Sequence, residues 1–169
     1  MACCRTRFAR RKASALYAPV GDFVIYDDDY ATCKRTYATL RIYPGDSGPE
    51  YVTKALGIEP TRIQLAATTS ASGKPIRRIN AWFLSTKDVL ESRDTRRHLD
   101  WIASKLSGKE NVLVRLKESG VIMDISCFWL SASGHGGPIL SPMQMRKLIE
   151  MDIEIWWDVY FEESDIESV

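Results

Sequence analysis

Cys127 and His135 stand eight residues apart at the end of an apolar strand pattern, with Asp124 just before the thiol. A thiol, an imidazole and a carboxylate are the parts of a nucleophilic site. The base must reach the thiol, and a third group must orient the base. The pattern disfavours that chemistry here, because Cys127 shares a face with Ile125 and Trp129, where a thiol is ordinarily an inert core residue. His135 belongs to the loop Ser131–Pro138 and is flanked by Gly134, Gly136 and Gly137. Glycines let a backbone approach a ligand closely, and successive N–H groups ahead of a capped helix can hold an anion. The loop lacks the lysine and the spacing of a phosphate loop. A structural turn is the simplest reading and a partner-binding loop the functional one. Asp124 and Asp158 alternate onto one sheet face, but nothing in the pattern raises a carboxyl toward acid–base work. No catalytic residue is assigned.

Other chemical signals fail on their spacing. Asp27-Asp28-Asp29 lacks the alternate acids, central glycine and closing glutamate of a calcium loop, so it reads as a solvated turn. Gly73-Lys74 has neither the earlier glycine nor the following Ser/Thr of a nucleotide loop. Cys3, Cys4, Cys33 and Cys127 form no CxxC pair, and with two histidines they give too few ligands for structural zinc. No metal and no cofactor is expected, and a reduced, cytoplasmic setting is the simplest fit to the cysteines.

The elements that would position these groups follow from period and punctuation. Thr36–Tyr43 alternates Ala38, Leu40 and Ile42 against Tyr37, Thr39, Arg41 and Tyr43, a half-buried strand. Ser47 with Glu50 reads as a capping box opening a helix with Val52, Ala55 and Leu56 as its stripe and Gly57 as its end. Strands are expected at 61–67 and 80–85, with a mobile hairpin connection at 68–78. Ser92 or Asp94 caps a helix carrying Leu99, Ile102, Ala103 and Leu106, and His98 lies beside that stripe as a boundary residue. A short helix over 109–119 ends at Gly120. Val121, Met123, Ile125, Cys127 and Trp129 then alternate against Ile122, Asp124, Ser126, Phe128 and Leu130. Ser141, Pro142 and Gln144 open a helix with Met145, Leu148 and Ile149 as its stripe. In the last strand, Ile153, Ile155, Trp157, Val159 and Phe161 alternate against Glu154, Trp156, Asp158 and Tyr160.

The order strand, loop, Ser-capped helix, strand occurs at 36–67 and again at 121–161, two half-repeats of low identity. Strand–helix–strand units make parallel strands. The expected fold is therefore α+β with two layers: a mixed β-sheet with helices on one face, ferredoxin-like or related. One sheet face is then left for Asp124, Ser126, Phe128, Trp156, Asp158 and Tyr160, joined by Asn80 and Trp82. Aromatics among carboxylates make a sticky, mildly acidic surface, unless the tails or a partner subunit cover it or the two faces are reversed.

Charge bounds the function class. The 169 residues carry a net charge of +1, but residues 1–20 hold five bases and no acid, and 162–169 hold four acids and no base. The body at 21–161 is neutral, so it lacks the broad basic face that phosphate backbones require, and nucleic acid is disfavoured. The first 20 residues are expected to be a flexible basic arm. They are arginine-rich and acid-poor, as transit peptides also are, and lack the apolar core of a secretory signal. The last eight are expected to be an acidic tail around a single domain at 21–161. No apolar run reaches the roughly 18–20 residues of a membrane span.

Three segments carry a resemblance: SCFWLSASGHGGPILSP at 126–142, LESRDTRRHLDWIASKL at 90–106 and YATLRIYPGDSGPEYVTKALGIEPTR at 37–62. In this order and spacing the chain resembles domain-of-unknown-function family 4279 over about residues 35–161. The resemblance implies a mainly bacterial family with no established activity or catalytic residues, and it leaves the arm and the tail outside. The residues themselves point to a small binding protein, and analogy supplies one concrete form of it, an immunity-type protein that sequesters a toxin or effector. Its partner would be a protein or peptide held by Phe128, Trp156, Asp158 and Tyr160 with the loop Gly134, His135, Gly136 and Gly137. The alternative is a small-ligand sensor or an enzyme with its site at 131–138. The oligomeric state is left open.

Overall fold

In β1 (Cys33–Tyr43), Ala38, Leu40 and Ile42 are fully buried while Tyr37, Thr39 and Arg41 stand on the other face, as a period of two requires. The computed structural model describes residues 24–69, 72–73 and 75–161, so the basic arm at 1–20 and the acidic tail at 162–169 lie outside it. A 3₁₀ turn (Gly45–Ser47) leads to α1 (Pro49–Leu56) and β2 (Arg62–Gln64). A separate hairpin, β3 (Ala67–Thr69) and β4 (Pro75–Arg78), precedes β5 (Ala81–Ser85). Then come α2 (Thr95–Leu106), α3 (Glu110–Glu118), β6 (Ile122–Ser131), α4 (Pro142–Met151) and β7 (Glu154–Phe161).

The main sheet has the order β2-β5-β1-β6-β7. All neighbours are antiparallel except β6 and β7, whose connection through α4 makes them parallel. The chain leaves β1 through α1 and lands two strand positions away at β2, and β5 fills the gap. Side chains of α1, α2, α3 and α4 join Leu40, Ile42, Trp82, Leu84 and Ile125 in one core, which places the helices on one face of an α+β, mixed-sheet domain. Each fully buried Leu or Ile there contributes roughly 1.5–3 kcal/mol of transfer free energy.

Several local expectations are corrected. Ser47 does not cap α1: it lies in the 3₁₀ turn, and Gly48, at φ 75°, is the N-cap with Pro49 as the first helical residue. Trp82 does not join the open face. Its indole N–H donates to Thr53 Oγ1 of α1 at 3.0 Å, and the ring is fully buried among the helices. Asn80 precedes β5 and ties the backbone of Ala66 to that of Gly45. On α4 the capping box of Ser141 and Gln144 forms, but Met145 and Ile149 are exposed. Buried Gln144 instead donates to Asp100 Oδ2 of α2 at 2.5 Å, where the Tyr26 hydroxyl also donates at 2.9 Å, while Lys147 pairs with Asp100 Oδ1 at 2.6 Å. A carboxylate shielded from water must be given donors, and that need sets the rotation of α4 over its apolar stripe.

His98 is not a boundary residue either: it is fully buried. Its Nε2 lies 2.9 Å from the Ser92 carbonyl, which only accepts, so the ring proton sits there. Nδ1 then accepts from the Thr86 hydroxyl at 2.7 Å, and the same Thr86 oxygen accepts the Ala38 N–H of β1. Next to it Asp94 caps α2 by accepting from the Arg96 N–H and also takes the Asp27 N–H at 2.8 Å. The acidic turn is thus tied to α2 as well as solvated: Asp28 accepts from Ser92 and pairs with Arg97 at 2.6 Å. Burial pushes the His98 imidazole below its ordinary value, against the pull of the Ser92 carbonyl. Burial would raise the Asp94 carboxyl, but the Arg96 guanidinium and the N–H groups of Asp27 and Arg96 outweigh it and hold the carboxyl low.

Linkage fixes the signs. A depressed imidazole leaves the unfolded chain more protonated at mildly acidic pH, so its contribution is complete above the ordinary value of 6.5 and falls away below it. The depressed Asp94 carboxyl adds a second loss as pH falls below 3.8 through the lowered folded value. The urea midpoint should therefore be level between about pH 7 and 8 and decline below that toward pH 5. His98→Gln, which keeps a donor and an acceptor but does not titrate, should flatten that decline. An unchanged slope in the variant would assign the proton uptake to another group.

Candidate functional site

The sheet face away from the helices is built from the second set of alternating residues on β1, β5, β6 and β7. Tyr37 of β1 pairs in register with Phe128 of β6, and Thr39 with Ser126. Tyr37 and Phe128 stack with centroids 4.8 Å apart and planes 7° from parallel, and Tyr160 of β7 stacks on Phe128 at 5.2 Å. The two flat faces of Phe128 are therefore used inside the row. The Arg35 guanidinium lies 5.1 Å from the Phe128 centroid, and the Lys87 ammonium 5.8 Å from that of Tyr37. Arg62 covers Phe83 of β5 at 4.2 Å, and this keeps Phe83 only 8% exposed on an otherwise open face.

Polar groups fill the middle of the face. Arg41 and Asp124 are cross-strand partners 2.5 Å apart, Thr39 bonds to Ser85 at 2.8 Å, and Ser126 donates to Asp158 at 2.9 Å. All of these residues except Asp124 line an open groove of about 540 Å³. A second groove, of about 790 Å³, runs on from it past Lys34, Arg35 and Val89 and shares Tyr37, Lys87 and Asp88 with the first. Asp88, at the junction, has φ 61°, a left-handed conformation that Asp adopts more readily than most residues.

Sequence reasoning placed Phe128, Asp158 and Tyr160 on this face together, with Trp156 alongside at 57% exposure. It missed Tyr37, Thr39, Arg41, Phe83 and Ser85, although the alternation of β1 already turned the first three away from the core. It also missed Lys87, which lies just past β5, and Arg62, which opens a strand too short to show a period. The expected acidic character is corrected: Arg35, Arg62 and Lys87 surround the row, and Asp124 is paired with Arg41.

The loop after β6 lies past the end of that row. His135 is exposed, with Nδ1 2.9 Å from the Ser133 hydroxyl, and its carbonyl accepts from Ser131. Cys127 is fully buried on the helix side, and burial pushes its thiol up to about 12. The structure does not bring the two into one site. Burial likewise raises the Cys33 thiol to about 11. Gly136, at φ 83°, packs against Thr32, and a Cβ there would meet Thr32 Oγ1 at 2.5 Å; one on Gly137 would meet nothing within 4 Å. The Ala132 N–H donates to the Thr32 carbonyl beside this contact. Among the described residues no cluster of three His, Cys, Asp or Glu could hold a metal ion, and no helix is long and apolar enough to cross a membrane.

The close approach to Thr32 gives Gly136 a structural role. Gly136→Ala should lower stability by about 1–3 kcal/mol through overpacking and a disfavoured φ, whereas Gly137→Ala should stay within about 0.5 kcal/mol. Urea denaturation of both variants checks this, and equal effects would count against it.

No curated protein and no solved structure matches the chain. A family model described as a domain of unknown function, DUF4279, matches residues 33–162, from the first residue of β1 to just past the end of β7. The stacked face, Asp94 with α2 and the Gly136 loop fall within that span, while their partners Asp27, Asp28 and Thr32 precede it, and the chain belongs to the DUF4279 family.

Proposed function

We propose that this protein is a binding module that takes a protein or peptide partner along its open sheet face. The observation that carries the reading is the continuity of the two grooves across Tyr37, Lys87 and Asp88 beside the stacked row. Two shallow troughs sharing a wall suit an elongated occupant better than a compact one, since compact ligands favour enclosed, mostly apolar pockets. Because Tyr37 and Tyr160 occupy both faces of Phe128, the row offers ring edges rather than a stacking platform for bases. Ring edges carry partial positive charge and suit carbonyl or carboxylate oxygens, as do Arg35 and Lys87 above them. Sequestration of a toxin or effector by this face, as an immunity-type protein would do it, is a stoichiometric association of this kind.

The fold supports a finer reading as well. Leaving out the β3–β4 hairpin, β1-α1-β2-β5-α2/α3-β6 with the order β2-β5-β1-β6 is the strand–helix–strand–strand–helix–strand arrangement of a ferredoxin-like domain, and α4 and β7 extend its edge. The two half-repeats share their element order but not their pairing, since β5 separates β1 from β2 whereas β6 and β7 are neighbours.

The test is a panel of immobilised synthetic peptides of acidic, basic and neutral aromatic composition, titrated with the wild type and with Lys87→Ala and Tyr37→Ala. At least one peptide class should be retained, and each substitution should weaken it about tenfold, or roughly 1.4 kcal/mol. Retention of no class, or equal binding by all three proteins, would overturn the reading.

A further inference from the structure

Among the described residues β7 is an edge strand of eight residues, hydrogen-bonded to β6 alone, and its register carries no bulge. Such an edge presents a row of unpaired N–H and C=O groups, and natural sheets blunt it with lysine, proline, bulges or shortness. The opposite edge of this sheet follows the rule, since β2 is three residues long and begins with Arg62. β7 has none of these guards: Glu-Ile-Trp-Trp-Asp-Val-Tyr-Phe contains no Lys, Arg, Pro or Gly. Both of its faces hold open apolar side chains: Trp156 and Tyr160, 57% and 54% exposed, stand beside the carboxylates Glu154 and Asp158 on one, and Val159 and Phe161, 45% and 59% exposed, on the other.

We infer that β7 pairs antiparallel with β7 of a second copy of this chain, so that two five-stranded sheets join into one. The argument for a second copy is the symmetry of the strand itself. In an antiparallel two-fold pairing, residue i meets j and j meets i, and directly opposed residues share a face. With the axis at Trp157, the helix-side residues match as Ile155 with Val159 and Ile153 with Phe161, apolar against apolar throughout. On the open side the same axis sets Trp156 against Asp158 and Glu154 against Tyr160, so no carboxylate faces another. Moving the axis one residue along would oppose Asp158 to its own copy, and like charges directly opposite are destabilising. The alternation of acid and aromatic thus selects the register that also uses the whole strand. This pairing is independent of the peptide-binding reading, and the two fail separately.

The full-length protein answers the question by sedimentation equilibrium at about 100 μM, well above the micromolar dissociation constants of weak specific interfaces. The wild type should run at twice the chain mass of 19.2 kDa. Val159→Lys places a charge on a half-open position of the pairing and should return the monomer mass with an unchanged far-ultraviolet circular dichroism spectrum. In amide exchange followed by nuclear magnetic resonance, the β7 N–H groups that point away from β6 should be protected in the wild type and released in the variant. A monomeric wild type would overturn the inference. So would a dimer that survives Val159→Lys with the outward β7 amides unprotected, since that dimer would use another surface.

Discussion

β1 is hydrogen-bonded along both edges, to β5 on one side and β6 on the other, and its side chains alternate between a dry layer and a wet one. A one-residue slip would carry Ala38, Leu40 and Ile42 into water and bring Tyr37, Thr39 and Arg41 into the core. The same constraint that seals the core therefore positions the open face. Tyr37 can stack on Phe128, and Arg41 can meet Asp124, only in the register that also sets Leu40 against Ile125. Core and candidate site are two readings of one pairing.

Polar contacts decide what the sheet leaves undecided. The His98–Thr86 contact fastens α2 to β1 through the Ala38 N–H, and Asp94 holds the segment at Asp27 on the N-terminus of α2. Asp100 does the same on the side of α4, collecting Tyr26, Gln144 and Lys147. These groups sit where helices approach the sheet or each other. Leaving a buried partner unmatched there would cost about 1–3 kcal/mol, enough to choose one helix rotation over another.

This division explains what was legible in the sequence. Strands with strict alternation, β1, β6 and β7, were readable to within a few residues, because burying one face leaves a period of two in plain view. The helix limits at Asp94, Gly57, Ser141 and Gly120 were readable from capping chemistry. The orientation of α4 was not, because it follows Gln144 and Lys147 toward an acid 44 and 47 residues away rather than the local stripe of Met145 and Ile149. Trp82 was misplaced for a similar reason: in the short strand β5 both faces are apolar, so only Thr53, 29 residues earlier, shows which way the ring turns. The half of the site on β6 and β7 was found through its aromatics. The half on β1 and β5 and their flanks escaped notice because Thr39, Arg41, Ser85 and Lys87 look like ordinary solvated residues until the strands are paired.

The polar attachment of α4 has a consequence for how the molecule opens. Met151 is the one buried core side chain from α4 and Ile153, just ahead of β7, the one after it, while Leu148, Ile155 and Trp157 are only partly buried against that core. Regions with few buried apolar contacts open at lower free energy than the global transition. Within a single copy the last helix and strand are thus the natural first unit to detach, while the sheet from β2 to β6 stays closed around β1. Such an opening would strip Tyr160 from Phe128 and Asp158 from Ser126, dismantling one wall of the groove while the core stayed folded. The open face would then have two states within one fold, and any occupant that touches Tyr160 would be a ligand for the closed one.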